Sequence, residues 1–247
     1  MTGPTKNNQV LQIDIESKRY PSGTCALHDL HFSVAPGDFV AIVGPSGAGK
    51  STLLKIIGGL DTHFAGRVQM PAETRFGTMF QEPRLMPWLT VRQNLQLVKP
   101  DLTAAQLKNL LADVRLDDCA ELFPSQLSGG MQRRVALLRA FIVAPHILLM
   151  DEPFQSLDAP GAAQLRQQLI ALWKQSEATV LFVTHSLTEA LSLASRVLFF
   201  SGSPARIVLD YKVELANPRT IDSPEVVAMA QQLLQSHPNI LGGSAGV

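Results

Sequence analysis

The sequence is short of cysteine and of surplus charge. Its two cysteines, Cys25 and Cys119, stand far apart, which argues against a disulfide framework and makes a reducing compartment natural. Lys and Arg together number 21, and Asp and Glu also number 21. The chain therefore lacks the positive surplus with which proteins neutralise nucleic-acid phosphates. These shortages disfavour a secreted disulfide-rich protein and a protein that wraps nucleic acid.

Long apolar runs are also missing. The longest, residues 142–150, is interrupted by Pro145 and His146, and it falls well short of the ~18–20 residues that a helix needs to cross a bilayer. The polar residues 1–10 lack the apolar core of a signal peptide. We therefore expect any action at a membrane to depend on a partner. With 247 residues and 46% apolar content, the chain can bury a full core, most simply as one α/β domain with a smaller attached piece.

A glycine-rich stretch lies between an apolar strand pattern, residues 39–43, and an apolar helix pattern that begins near Lys50. Strand, loop and helix follow each other in this order in the phosphate-binding P-loop. The backbone N–H groups of such a loop point at a polyphosphate, and the helix dipole also favours an anion. The predicted phosphate-binding residues are Gly44, Pro45, Ser46, Gly47, Ala48, Gly49, Lys50, Ser51 and Thr52.

Two of these side chains have specific expected roles. Lys50 is expected to reach the β- and γ-phosphates, and the Ser51 hydroxyl to ligate Mg²⁺. The alternative is a chance match in a glycine-rich turn, which the flanking strand and helix make rare. The motif therefore predicts that the chain binds a nucleoside triphosphate.

Acidic residues end a second apolar run. Residues 146–150 are typical of a buried parallel strand, and Asp151 and Glu152 follow directly. Ligand groups gather at the carboxyl ends of parallel strands. Asp151 therefore fits the carboxylate that holds Mg²⁺, and Glu152 fits the base for an attacking water. A further strand pattern, residues 180–184, leads to His185, which is either structural or a contact of the γ-phosphate.

Three features carry weaker signals. Ser128 is placed as the N-cap of a helix after a Ser-Gly-Gly turn, which is either a second anion site or an ordinary helix start. Tyr20 is either an adenine-stacking residue or an ordinary edge residue. The segment 80–89 is either a loop packed on its own domain or a docking surface, in which Leu85, Met86 and Trp88 would line a groove for a partner.

The other patterns predict the remaining elements. Thr103 with Gln106 forms a capping box, and a turn is expected at residues 65–66. Residues 1–9 and 241–247 are expected to be disordered. The remaining strands are predicted at 12–15, 30–34, 75–80, 197–200 and 206–209, and helices are predicted in a mainly helical region 92–143, after Asp158, after Ser186 and from 223 to 234.

In their order along the chain, these motifs resemble the nucleotide-binding subunit of an ABC transporter, over roughly residues 10–210. The matching positions are the Walker A loop at 44–52, the Q-loop at Gln81, the family signature at 127–132, Walker B at 147–152, the D-loop at 157–158, the switch histidine His185 and the adenine-stacking Tyr20.

The resemblance implies an α/β fold. It has a P-loop NTPase core with a mainly parallel sheet, an N-terminal antiparallel β subdomain and an inserted helical subdomain. The ATPase domain would cover residues 10–215, with the helical subdomain at about 82–143. Residues 216–247 would form a C-terminal tail with one helix.

The resemblance also implies the ligands, ATP and Mg²⁺, and the residues that serve them. The residues implied for the metal are Ser51, Gln81 and Asp151, and those implied for catalysis are Lys50, Glu152 and His185. Beyond the P-loop, those implied for the nucleotide are Tyr20, Gln81, Ser128, Gly129, Gly130 and Met131.

The implied partners are a second copy of the chain and an integral membrane permease. The two copies would form a head-to-tail dimer around two ATP molecules, at the cytoplasmic face of the inner membrane, with a solute-binding protein as an indirect partner and no nucleic acid. A physical argument points the same way. Since the P-loop already cradles the phosphates from one side, the anion site at Ser128 needs a phosphate that a second copy binds. Closure of the dimer would then exclude water.

Within the family, residues 80–88 and 151–154 resemble the nitrate, sulfonate and taurine importer branch. Gln155 departs from it, standing where that branch commonly has Gly, and is expected to affect how the D-loop approaches the partner subunit. The leading interpretation is an ATPase that drives import. The alternatives are a soluble nucleotide-dependent interaction module and a translation-type ATPase, whose long coiled-coil insertions and tandem domains, respectively, are not seen in these 247 residues.

Overall fold

The computed structural model describes residues 10–216 and 219–243. The chain separates into two compact units. The first unit comprises Met1–Thr74 with Thr179–Val247, and the second unit is Arg75–Ala178. The domain limits implied by the family resemblance stay a prediction.

Most strands agree with the apolar patterns, but the strand at 65–69 was not predicted, and the second strand begins at Cys25 rather than at residue 30. In chain order, the strands of the described residues are β1 (Leu11–Arg19), β2 (Cys25–Val34), β3 (Phe39–Val43), β4 (Ala65–Gln69), β5 (Phe76–Met79), β6 (Ile147–Asp151), β7 (Thr179–Thr184), β8 (Arg196–Phe200) and β9 (Ile207–Lys212).

The prediction of a turn at residues 65–66 is wrong, because both residues belong to β4. Gly66 has a φ of +118°, and a Cβ there would lie 2.1 Å from the carbonyl oxygen of Asp14. This glycine therefore serves a close approach of two strands rather than a turn.

Four helices of the described residues begin at the predicted caps, which are Thr103, Ser128, Asp158 and Ser186. The helix after Ser223 has no side-chain cap hydrogen bond, and the helix after Thr90 has a cap that was not predicted. In chain order, the helices of the described residues are α1 (Lys50–Ile57), α2 (Val91–Gln96), α3 (Ala104–Asp113), α4 (Gly129–Phe141), α5 (Ala159–Ser176), α6 (Leu187–Leu193) and α7 (Pro224–Ser236), with 3₁₀ helices at Pro124–Gln126 and Ile240–Gly242. Among these residues, none of the helices has the length and apolar character that a membrane crossing requires.

The outcome differs among the finer helix predictions. The Thr103 capping box is present in both directions. The region predicted as mainly helical is interrupted between α3 and α4, where only the 3₁₀ turn at Pro124–Gln126 is helical. The expectation that residues 241–247 are disordered is wrong at the start of this segment. The second 3₁₀ helix includes residues 241–242, and Ile240 within it is buried. Residues 1–9 and 244–247, for which disorder was also expected, lie outside the described residues.

The first unit contains an antiparallel group and a parallel group of strands. β1 pairs antiparallel with β2 and with β4. β3 pairs parallel with β7 and with β8, and β9 joins β8 antiparallel. Every residue of β3 and of β7 is buried, which is typical of parallel strands covered on both faces. The predicted mainly parallel sheet and the separate antiparallel sheet are confirmed.

The register of the parallel strands decides where the functional loops leave the sheet. Val43, the last residue of β3, lies opposite Thr184, the last residue of β7. The next residues along the chain are Gly44 and His185. The P-loop and His185 therefore leave the sheet at the same carboxyl edge, where α/β proteins place their ligands.

The second unit has the same arrangement in a smaller form. β5 and β6 are parallel, with Met79 opposite Met150, and α4 packs against β5 and α5. Asp151 ends β6, and Gln81 is the second residue after β5. These two residues therefore belong to chain segments that leave neighbouring strands side by side.

A buried glutamine in α5 provides a test of the core of the second unit. Gln168 is 7% exposed, and neither its Nε2 nor its Oε1 has a hydrogen-bond partner among the described residues. Because an unsatisfied buried polar group costs about 1–3 kcal/mol, Gln168→Leu should raise the free energy of unfolding by a similar amount, measured by urea denaturation.

The neighbouring Gln167 is exposed and supplies a matched control. Gln167→Leu, the same chemical change on the same helix, should alter the free energy of unfolding by no more than about 0.5 kcal/mol. A loss of stability in Gln168→Leu would mean that its amide contributes to the core.

Candidate nucleotide-binding and hydrolysis site

The P-loop connects β3 to α1 through a glycine at which any side chain would clash with its neighbours. Gly49 has a φ of +87° and is the N-cap residue of α1. A Cβ on Gly49 would lie 2.7 Å from the carbonyl oxygen of Ala26 and 2.8 Å from Cδ2 of Leu27. The middle of the loop, Ser46 and Gly47, is exposed. The loop thus has one side fixed against β2 and the other accessible to a phosphate.

Lys50 is held inside the loop that it follows. Its side chain is 6% exposed, and Nζ donates hydrogen bonds to the carbonyl oxygens of Gly44, at 2.7 Å, and Pro45, at 2.8 Å. A polyphosphate on this loop would meet a cation that is already withdrawn from water and oriented. The neighbouring Ser51 is exposed at the first turn of α1, so its hydroxyl is accessible to a metal ion.

Tyr20 lies beside the same helix terminus. Its hydroxyl and Oγ1 of Thr52 are hydrogen-bonded at 2.8 Å, and Nζ of Lys18 lies 5.0 Å from the centroid of its ring. Lys18 in turn pairs with Asp61 at 2.6 Å, and its hydrogen bond lowers the pKa of the Asp61 carboxyl. An aromatic ring is therefore fixed next to the P-loop helix, where an adenine could stack on it.

His185 is exposed and stands on a braced turn. The Thr184 hydroxyl donates to Oε2 of Glu189 at 2.7 Å and accepts from the Ser186 backbone N–H at 3.0 Å. The Ser186 hydroxyl caps α6 by accepting from the Glu189 N–H at 3.3 Å. These contacts fix the backbone on both sides of His185, so its ring projects from a rigid position at the P-loop edge of the sheet.

Asp151 has the environment expected of a metal ligand. Its Oδ1 is buried and has no hydrogen-bond partner among the described residues. A buried carboxylate oxygen without a partner is unfavourable, and a cation would satisfy it. In the part of the chain that the structure describes, no group of three or more His, Cys, Asp or Glu side chains could hold a metal. Mg²⁺ fits such a site, because it is usually bound by one or two carboxylates together with substrate phosphates.

Glu152 has a strained backbone. Its φ is +48°, in the left-handed region, which costs a non-glycine residue about 1–3 kcal/mol and persists only where neighbouring contacts impose it. Those contacts are present. Arg133 donates to the carbonyl oxygen of Pro153 at 3.1 Å, and the Gln155 N–H donates to the Glu152 carbonyl at 3.2 Å. Burial lowers the pKa of the Arg133 guanidinium.

Gln81 is exposed, and its Nε2 donates a hydrogen bond to Oε1 of Gln155. The two residues are 74 positions apart. The sequence gives no sign of this contact, although it singles out both residues for separate reasons. The register of β5 and β6 is what brings them together.

The Ser128 turn has the predicted geometry. The Ser128 hydroxyl caps α4 by accepting from the Met131 N–H at 3.3 Å. Ser128 and Gly129 are exposed, and nothing lies within 4 Å of a Cβ placed on Gly129. Gly130 faces Cδ2 of Leu157, 3.8 Å from its ideal Cβ position. The first turn of α4 therefore presents free space and a helix N-terminus, which suits an anion.

The segment between Gln81 and α2 is held from within by two polar side chains that the sequence analysis missed. Asn94, which is 0% exposed, donates to the carbonyl oxygens of Met86 and Leu89 and accepts from the Met86 N–H at 2.7 Å. Arg139 donates to the carbonyl oxygens of Pro83 and Arg84, and burial lowers its pKa. Asn94 could have been noticed in the sequence, because it is a polar residue on the face of a predicted helix that is expected to be buried.

This framework presents one aromatic side chain to solvent. Trp88 is 70% exposed, and Met86 is partly exposed. Leu85 is only 9% exposed, so the expectation that it lines a docking groove is wrong, since its side chain belongs to the core.

A P-loop with its lysine, followed in sequence by an acidic pair at a strand end, defines a nucleoside triphosphatase of the P-loop class. A family model described as ABC transporter matches residues 27–155. The aliphatic sulfonates import ATP-binding protein SsuB of Bacillus cereus is 39% identical over 218 residues, covering 85% of this chain and 87% of the relative. An aliphatic sulfonates import ATP-binding protein of Pseudomonas aeruginosa is 40% identical over 233 residues, covering 89% and 94%.

A solved structure agrees with these relatives. An ATP-binding cassette in a dimeric post-hydrolysis state, bound to ADP and phosphate, matches with a TM-score of 0.72 and 28% identity, over 83% of this chain and 100% of that chain. The chain belongs to the ABC transporter family as an ATP-binding subunit, and its activity is ATP hydrolysis coupled to transport. The family and the fold predicted from the motifs are confirmed, and the interaction-module alternative is not favoured.

Proposed function

We propose that the chain is the ATPase subunit of an importer that takes up a small solute of the sulfonate, nitrate or taurine type. The observation that carries the ATPase role is the joint exit of the P-loop and His185 at one edge of the sheet, with Lys50 already enclosed by the loop. The importer role is supported by the similar proteins, which are aliphatic sulfonates import ATP-binding proteins. The resemblance of residues 80–88 and 151–154 to that importer branch supports the solute class.

Several residues of the first unit bind different parts of ATP. The backbone N–H groups of residues 44–52 other than Pro45 bind the phosphates, Lys50 neutralises the β- and γ-phosphates, and Tyr20 stacks on the adenine. Three observed positions support these roles: the open side of the loop, the enclosed ammonium and the ring fixed at Thr52.

Hydrolysis needs a base, a contact to the γ-phosphate and a metal. Glu152 accepts a proton from the attacking water, and His185 contacts the γ-phosphate. Mg²⁺ would be held by Ser51, Gln81 and Asp151, and when bound it neutralises charge on the phosphates. The unpartnered Oδ1 of Asp151 supports this assignment.

A second copy completes each site. In the proposed head-to-tail dimer, the Ser128 turn of one copy binds the γ-phosphate held by its partner, using the exposed first turn of α4. The residues of this contact are Ser128, Gly129, Gly130 and Met131. The dimeric cassette among the similar structures supports the pairing of two copies.

The same dimer would be peripheral to the cytoplasmic face of the inner membrane, attached through an integral permease and served indirectly by a solute-binding protein. Reconstitution of the chain with its permease and binding protein in vesicles tests the proposal. Uptake of a small alkanesulfonate that requires internal ATP is expected. ATP hydrolysis without uptake of sulfonate, nitrate or taurine would contradict the solute class.

The exposed Trp88 gives a sharper test of permease docking. Trp88→Ser should reduce the amount of permease that co-purifies with the chain from detergent-solubilised membranes by at least about tenfold, since buried aromatic anchors at interfaces often contribute 2 kcal/mol or more. Nucleotide binding by the isolated subunit should persist.

Leu60, which is 65% exposed in the first unit, offers a matched control. Leu60→Ser removes a similarly exposed apolar side chain and should leave co-purification unchanged. Equal losses in both variants, or unfolding of Trp88→Ser, would contradict the docking role.

A further inference from the structure

Two glutamine side chains meet where β5 and β6 end. Gln81 is the second residue after β5, and Gln155 is the fourth after β6. Because Met79 lies opposite Met150, both segments leave the sheet at one edge. Nε2 of Gln81 donates to Oε1 of Gln155. Within the described residues, this is the only side-chain hydrogen bond that either glutamine makes.

The hydrogen bond selects one orientation of the Gln81 amide. A glutamine amide carries an oxygen acceptor on one side and an NH₂ donor on the other. Its terminal torsion is broad and roughly two-fold, so an exposed glutamine readily exchanges the two. When Nε2 is engaged by Gln155, Oε1 is turned away from Gln155 and left available. This choice matters because Mg²⁺ takes oxygen ligands and would not accept the NH₂ group.

The acceptor is itself held in place. Gln155 is partly buried, and its N–H donates to the Glu152 carbonyl. The preceding Phe154 is buried, with the Arg166 guanidinium 5.4 Å from its ring centroid. The Gln155 side chain thus projects from a fixed turn towards an otherwise exposed glutamine. An acceptor on a fixed turn can orient a mobile donor.

We propose that Gln155 is a positioning residue, which orients the Gln81 amide so that its Oε1 faces Mg²⁺ when nucleotide is bound. The inference rests on the proposed function, in which Gln81 is a metal ligand. Gln155 does not touch the metal or the nucleotide in this role, and its effect passes through Gln81 alone.

The test measures how strongly Mg²⁺ promotes nucleotide binding. A fluorescent β,γ-imido analogue of ATP, which is not hydrolysed, is titrated into the full chain with Mg²⁺ and again with EDTA. The ratio of the two dissociation constants reports the metal contribution. Gln155→Leu, which keeps the size but removes the acceptor, should lower this ratio about two- to fivefold, as expected for the loss of one exposed hydrogen bond. Its affinity in EDTA should stay within about twofold of the unmodified chain.

Two further variants separate positioning from packing. Gln155→Glu keeps an oxygen acceptor at the same length and should retain the ratio. Gln81→Ala should lower the ratio, and adding Gln155→Leu to it should cause no further loss, because the two residues act through one contact.

The outcomes distinguish this inference from the proposed function. If Gln81→Ala lowers the ratio and Gln155→Leu does not, the positioning role of Gln155 is wrong while the metal role of Gln81 stands. If Gln155→Leu weakens binding equally with Mg²⁺ and with EDTA, Gln155 is merely structural, and the inference is again overturned. If neither variant changes the ratio, the metal role assigned to Gln81 fails, and the inference fails with it.

Discussion

Glu152→Gln is expected to lower the rate of ATP hydrolysis by about 10²–10⁴-fold while leaving ATP binding intact. The amide has the shape of the carboxylate but cannot accept a proton from the attacking water. Because the hydrolysis step that would open the dimer is blocked, an ATP-bound dimer should accumulate. Phosphate release, equilibrium binding of ATP and size-exclusion chromatography with and without ATP measure the three expectations.

Because the Glu152 backbone is strained, the control should be a Glu→Gln substitution at a residue with a similar backbone conformation but no catalytic role. Glu177, the C-cap residue that follows α5, also has a positive φ, +53°, compared with +48° for Glu152. Glu177→Gln is therefore the same substitution in a similar backbone conformation, at a residue with no assigned catalytic role. It should keep normal turnover. Normal steady-state turnover in Glu152→Gln itself would remove the role of Glu152 as base.

The features that could be predicted from the sequence are those that depend on short-range patterns. β3 and β7 are continuous apolar runs because they are covered on both faces, so their positions were readable. Ser128 caps α4 as its sequence context indicates. The P-loop could also be predicted, because the spacing of its glycines and lysine is fixed within one short loop of the chain.

The features that could not be predicted depend on pairing between distant segments. Gly66 suggested a turn, but its role is set by the close approach of Asp14, about fifty positions earlier in the chain. Leu85 stood in an exposed-looking segment, yet the bonds from Asn94 and Arg139 fold that segment so that Leu85 is buried. A local sequence pattern cannot distinguish a turn from a strand at Gly66, or an exposed from a buried side chain at Leu85, because tertiary contacts decide both.

The candidate site shows the same division. The candidate residues and their roles could be proposed from the sequence, because phosphate binding requires these residue types in this order along the chain. The supporting contacts were not predicted. The bond from Tyr20 to Thr52 spans 32 positions, and that from Gln81 to Gln155 spans 74. Sheet register creates contacts of this kind, and single-sequence patterns do not report it.

A mixed dimer tests whether the Ser128 turn acts on the partner's nucleotide. Lys50→Ala removes the cation that the P-loop encloses, and Ser128→Arg fills the open space before α4 with a large side chain. Each variant should be inactive as a homodimer. Ser236→Arg, an equal change at an exposed position of α7, should be neutral and supplies the control for added size and charge.

If the sites are composite, a dimer of one Lys50→Ala chain and one Ser128→Arg chain carries both lesions in one site and leaves the other intact. If each chain completes its own site, both sites of the mixed dimer are damaged. Different affinity tags on the two variants isolate the mixed species. The measurement is the amount of ATP occluded per mixed dimer, because steady-state turnover can require two working sites. We expect about one occluded ATP per mixed dimer, since positioning by both chains is what assembles each site. Recovery of none, with formation of the mixed dimer verified, would mean that Ser128 does not complete a neighbour's site.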